Sequence, residues 1–139
     1  MSKSSKMLVQ LLDIFGSDTI ADLEFEEIMG DAEFIHDFKT EMEYVTDERE
    51  QGYVLHSLEG IILTVIFGVW AKCNTIEEIC LFMNKHYKWL DKHIGYENGK
   101  PSKSAITRVL AFVNPKEIEK VCTTLLEKLF KFTQTIRYT

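Results

Sequence analysis

Between positions 100 and 108 stand five residues whose types and spacing suit contact with a polyanion: Lys100, Lys103, Ser104, Thr107 and Arg108. On a helix opening near Ser102, positions 103 and 107, and 104 and 108, are each about one turn apart. They form a polar stripe opposite Ala105, Ile106, Val109, Leu110 and Val113. Short polar and basic side chains near a helix N-terminus are what a major-groove reader presents to DNA, with Arg and Lys for guanine edges or phosphate and Ser or Thr for either. An ordinary solvated helix face has the same composition. Lys72, Lys85, Lys88 and Lys92 could add backbone contacts, or simply solubilise their helices.

Other chemistry is less well supplied. Cys80, His86 and His93 are offset by six and seven, which does not repeat the i, i+4 geometry of helical zinc sites. Glu24, Glu26, Glu27 and Asp31 could hold Mg²⁺ as paired acids, but nothing fixes them around a common point. Tyr87, Trp89 and Tyr96 could stack on bases, or complete a core. There is no Gly-rich phosphate loop, no nucleophile elbow and no H-E-x-x-H motif. Neither a metal nor a cofactor is implied.

The elements that must position these residues read as helices almost throughout. Met7, Leu8, Leu11, Leu12 and Phe15 form one amphipathic face stopped by Gly16. A short helix is expected from Thr19 to Met29. Asp31 then caps another, with Phe34, Ile35, Phe38, Met42 and Val45 inward and Asp37, Glu41 and Glu48 toward water. Thr46 to Gly52 reads as a linker. Leu55 to Lys72 is apolar nearly all round, which predicts a buried central helix, with a strand as runner-up.

Thr75 and Glu78 make a capping-box pattern, and the stripe Ile76, Ile79, Cys80, Met83, Tyr87, Leu90 and Ile94 predicts one helix of about five turns ending at Gly95. A turn-rich loop, Tyr96 to Pro101, leads to the helix at Ser102. The order helix, glycine-bearing turn, helix has the parts of a helix-turn-helix, although its turn is longer than usual. Asn114-Pro115 opens a last helix, on which Ile118, Cys122, Leu125, Leu129, Phe132 and Ile136 alternate four and three apart as an apolar seam. That seam is the candidate surface for docking a second protein or a second copy.

The chain is 139 residues long, with 45% apolar residues, 12% aromatics, seven Gly and two Pro, which excludes disordered and low-complexity classes. Residues 1–50 carry 4 Lys and Arg against 14 Asp and Glu, a net of −10, whereas residues 51–139 carry a net of +4. Such asymmetry is compatible with phosphate contact by the second part and argues against it by the first, with a solvated acidic face as the alternative. Three cysteines without a C-x-x-C pair point to a reducing cytoplasm. The apolar run Ile61 to Ala71 is about half the roughly 20 residues that span a bilayer, so no membrane association is expected.

Seven short stretches in order carry a family likeness: Asp47-Glu48-Arg49, Leu55-His56-Ser57-Leu58, Thr75-Ile76-Glu77-Glu78-Ile79, Trp89-Leu90, Glu97-Asn98-Gly99-Lys100-Pro101-Ser102, Thr107-Arg108-Val109 and Asn114-Pro115. Together they resemble the N-terminal associated domain of insertion-sequence transposases of the DDE type, the group that includes the H-repeat-associated proteins. The likeness runs from about Asp47 to Leu129. Two positions depart: Lys103-Ser104-Ala105 stand where the family often has His-Asp-Thr, and Leu55-His56 replace its Tyr-Pro. Residues 1–45 have no placed counterpart.

The resemblance implies an all-α, compact multi-helix bundle, with residues 1–45 as an acidic helical segment and 46–139 as the transposase-associated part. It implies a non-catalytic role, since the Asp-Asp-Glu triad of such transposases lies in a separate ribonuclease-H-like domain. DNA at insertion-sequence ends, a transposase catalytic domain or a second copy of the chain are the expected partners. A decayed remnant without DNA binding is the alternative.

Overall fold

Thirteen consecutive positions, Leu58–Trp70, form a helix that is apolar on every side, and its neighbours are arranged around it. A computed structural model describes residues 2–15, 32–45, 47 and 56–138, with side chains to position 128. Among the described residues there are seven α-helices and no strand: α1 (Lys3–Phe15), α2 (Ala32–Met42), α3 (Leu58–Trp70), α4 (Ile76–Lys85), α5 (Tyr87–Ile94), α6 (Lys103–Phe112) and α7 (Pro115–Tyr138). The expected Thr19–Met29 helix, the caps at Gly16 and Asp31 and most of the Thr46–Gly52 linker lie outside the described residues.

The central helix begins at Leu58, because Ser57 takes an extended conformation and its Oγ accepts the Gly60 N–H at 3.1 Å. Every residue of α3 except Glu59 is buried, as the sequence predicts for a core helix touched on all sides. It packs against α1, α2, α4, α5 and α6. Gly68 permits the approach of α4: a Cβ there would stand 3.0 Å from Ile79 Cγ1. At its C-terminal end Lys72 turns left-handed at φ 74°, the Cys73 N–H reaches the Gly68 carbonyl and the Lys72 N–H reaches that of Val69, both at 3.0 Å. This is a Schellman closure with lysine where glycine is usual.

α1 and α2 belong to the same hydrophobic cluster as the later helices. Met7, Leu8, Leu11 and Phe15 of α1 are buried, chiefly against α6 and α3, and the Phe15 ring meets Trp70 edge-on at 5.5 Å. Phe34, Ile35, Phe38, Met42 and Val45 bury the inner face in and after α2. Asp37 and Glu41, expected in open water, instead flank Lys128 of α7 at 3.9 and 3.8 Å. Their helix lies along the more basic end of the chain, so the two charge classes meet there.

The expected single helix from Thr75 to Ile94 is two. His86, at φ −111° and ψ 24°, closes α4 and opens α5, with its N–H on the Phe82 carbonyl and its carbonyl on the Leu90 N–H. No Gly or Pro marks the joint. The bend lets the two halves dock on different neighbours: α4 against α3 and α6, α5 against α2 and α3. Ile79 and Met83 on one half, and Leu90 and Ile94 on the other, all reach the core.

Local signals fix the remaining boundaries. Thr75 Oγ1 accepts from the Glu78 N–H, and the Glu78 carboxylate accepts from the Asn74 N–H, one residue before the usual capping-box partner. Gly95 ends α5 at φ 81°, Ser102 Oγ caps α6 through the Ala105 N–H, and Asn114 Oδ1 caps α7 above Pro115. Gln10 Nε2 donates to the Pro115 carbonyl at 2.8 Å, tying α1 to the start of α7.

Candidate nucleic-acid interface

α6 buries Ile106, Val109 and Leu110 and turns Lys103, Ser104 and Arg108 outward, with Thr107 half-buried beside them. The polar stripe therefore exists. Its functional groups, however, are engaged close to home. Lys103 Nζ lies 2.6 Å from Glu77 Oε1 of α4, and both side chains are largely exposed. The hydrogen bond between them lowers the Glu77 carboxyl and raises the Lys103 ammonium from their ordinary values. Thr107 Oγ1 donates to the Lys103 carbonyl at 2.8 Å, and Arg108 Nε to the Ser104 carbonyl at 3.3 Å.

Lys100 stands apart from the other four. Its Nζ donates to Asn84 Oδ1 at 2.6 Å and lies 5.9 Å from the Tyr87 ring centroid, so it belongs to the α4–α5 side rather than to α6. Glu77 and Asn84 are the positions that sequence reading missed. They are seven residues apart and hence on one face of α4. The spacing was visible in the sequence, but their partners become evident only when α6 and its preceding loop dock beside them.

That loop is anchored from beneath. Tyr87 and Tyr96 stack with ring planes 6° apart, and the Tyr96 hydroxyl lies 2.6 Å from Thr64 Oγ1 inside the bundle. Burial pushes the Tyr96 phenol up to about 12. Trp89 meets Phe67 edge-on at 6.0 Å. The three aromatics considered for base stacking thus make contacts within the protein.

Among the described residues, no three His, Cys, Asp or Glu side chains come together as a metal site. The His86 ring packs on Phe82 and that of His93 on Trp89. Burial raises all three thiols, Cys122 to about 12. Glu24, Glu26, Glu27 and Asp31 lie outside the described residues. On the proposed seam, Ile118, Cys122 and Leu125 are fully buried against this chain's own helices. The side chains of Leu129, Phe132 and Ile136 lie outside the described part of α7.

The family model described as DDE_Tnp_1-associated matches residues 39–126, more than half of the chain. The chain belongs to the DDE_Tnp_1-associated family. Its relatives include "Putative transposase YncI" of Escherichia coli O157:H7, 31% identical over 77 residues, or 55% of this chain and 20% of that protein. The protein of the same name from Escherichia coli strain K12 is 32% identical over 75 residues, 54% of this chain and 30% of the relative. "Putative protein YbfL" of strain K12 is 31% identical over 87 residues, 60% of this chain and 23% of the relative. The chain thus spans under a third of the length of these proteins. No solved structure matches it.

The DDE_Tnp_1-associated domain is all-helical here, and its matched segment takes in α3 to α6, part of α2 and the first half of α7. α1 lies wholly before the match. No helix among the described residues is long and apolar enough to cross a membrane.

Proposed function

We propose that this DDE_Tnp_1-associated domain is a non-catalytic, cytoplasmic module that helps a transposase recognise the DNA ends of an insertion sequence. The observation that carries the reading is the polar stripe on α6, with Lys103, Ser104 and Arg108 exposed and Thr107 half-buried, in a family named for its association with transposases. Lys100, held by Asn84 of α4, lies off that helix. α6 is supported from behind by α1, α3 and α4, and its N-terminus is left to solvent by Ser102, Lys103 and Ser104, as in the helix-turn-helix manner of reading DNA.

Fluorescence anisotropy with a terminal inverted-repeat duplex tests this. Binding should be measurable at low salt and weaken as salt rises, because neutralised phosphates release their counterions. Replacing Lys103→Glu together with Arg108→Glu should weaken it. No binding at low salt, or binding unaffected by that pair, removes the reading. A nuclease assay of the domain with Mg²⁺ should remain blank.

The second reading is a module that docks a transposase catalytic domain or another copy of itself through α7. With Ile118, Cys122 and Leu125 inside the core, it narrows to Leu129, Phe132 and Ile136. Light scattering of the Leu129→Asp and Phe132→Asp variants separates the two: assembly lost with DNA binding retained favours docking along α7.

A further inference from the structure

The α6 stripe is well placed for DNA but poor in available charge, since Glu77 already neutralises Lys103. The α4–α5 joint is the reverse. Lys85, Lys88 and Lys92 are all exposed, and among the described residues none has a carboxylate within salt-bridge distance. Lys85 closes α4, and Lys88 and Lys92 are one turn apart on α5. Lys88 and Lys92 thus share a face of α5, and Lys85 stands at the joint itself, next to His86.

Lys100 lies at the same joint: its Nζ is held by Asn84 in the last turn of α4 and lies 5.9 Å from the ring of Tyr87, the first residue of α5. The acids of this region are two. Asp91 Oδ1 is turned to the Tyr96 backbone N–H, and Glu97 is exposed in the loop. Residues 84–100 therefore carry four lysines against two acids, a net of +2.

We propose that the phosphate backbone of duplex DNA is met by this ridge, Lys85, Lys88, Lys92 and Lys100, while α6 beside it faces the bases. The inference rests on the DNA reading above and places the salt-dependent part of binding on residues outside α6. The four residues of helix from Lys88 to Lys92 span about 6 Å, close to two nucleotides at a rise of about 3.4 Å per nucleotide, with Lys85 across the joint.

The experiment is anisotropy titration of the full 139-residue chain with a terminal inverted-repeat duplex, across salt, for four proteins: wild type, Lys103→Gln, Glu77→Gln and the triple variant Lys85→Gln, Lys88→Gln, Lys92→Gln. Circular dichroism verifies the fold of each. Three lost phosphate contacts reduce the slope of log K against log salt by about 2.7, so from 50 to 200 mM salt wild type loses about 40-fold more affinity than the triple variant. Lys103→Gln changes the slope by well under one contact's share, since its charge is already matched.

An unchanged slope in the triple variant, with wild type binding, overturns the ridge and leaves the DNA reading standing. Absence of wild-type binding at every salt overturns both. Lysine acetylation of the wild-type chain gives a measurement independent of the variants: bound duplex protects Lys85, Lys88 and Lys92 more than the exposed Lys3 and Lys6 of α1, which lies behind α6. Equal or reversed protection overturns the proposal.

Discussion

The hydroxyl of Tyr96 lies 2.6 Å from Thr64 Oγ1, joining the loop before α6 to the middle of the central helix. Thr64 uses its one proton on the Gly60 carbonyl at 2.7 Å, so Tyr96 is the donor to Thr64. Tyr96→Phe removes a donor whose acceptor keeps its own bond, and should cost about 0.5–1.5 kcal/mol in urea unfolding. Thr64→Val strands the buried phenol, while the Gly60 carbonyl keeps its helical bond from the Thr64 backbone N–H, and should cost about 1–3 kcal/mol.

The same burial sets an alkaline limit. The phenol of Tyr96 goes from its ordinary 10.0 to about 12, and the thiol of Cys122 from 9.0 to about 12. Both groups hold their protons more tightly when folded, so their contribution is complete below the unfolded values and is lost as pH rises toward 12. Stability should fall between pH 9 and 12. Phenolate absorbance supplies the check: the wild-type minus Tyr96→Phe difference should titrate near pH 12, and a difference centred at 10 would show an exposed ring.

At the end of α3, Lys72 occupies a left-handed conformation that glycine adopts without steric cost. Lys72→Gly should raise stability by about 0.5–1 kcal/mol, the steric relief of roughly 1–2 exceeding the added chain entropy of roughly 0.5–1. Thermal unfolding measures it. A loss would mean that the lysine side chain contributes more than its backbone strain.

The Glu77–Lys103 contact joins two exposed side chains, so it should matter to binding more than to folding. Glu77→Gln should leave the melting temperature within about a degree. It should also steepen the salt dependence of duplex binding by about one phosphate contact, because it releases the Lys103 ammonium.

Cysteine reactivity should separate surface from core. Cys80 is half-buried, whereas Cys122 lies wholly inside. With iodoacetamide at pH 8 the order should be Cys80 first and Cys122 only on unfolding, because alkylation needs an accessible thiolate. Mass spectrometry of the alkylated peptides reads this directly.

The helical class and most of the core were legible in the sequence, because both depend on short-range pattern. Thr75, Ser102 and Asn114 cap helices with their own hydroxyl or amide oxygens, and Phe34, Phe38, Leu90, Ile106 and Ile118 fall on inward faces by spacing alone. The Ser57 cap, which starts α3 three residues after Leu55, was not read. The joint at His86 was not legible: its residue types are compatible with an uninterrupted helix, and the bend answers to where α5 docks. The candidate surface was legible as residues but not as charges. That Lys103 meets Glu77 and Lys100 meets Asn84 is decided by tertiary packing of α6 on α4, over 26 and 16 positions of chain.

α1 precedes the first residue of family likeness, yet it supplies Met7, Leu11 and Phe15 to the interior and covers α6 and α3. A fragment begun at residue 39, where homology alone would place the cut, is a bundle with one wall removed. Trp70 loses its edge-on partner and the back of α6 meets water, so such a fragment should aggregate rather than fold, and the physical border of the unit runs ahead of the ancestral one.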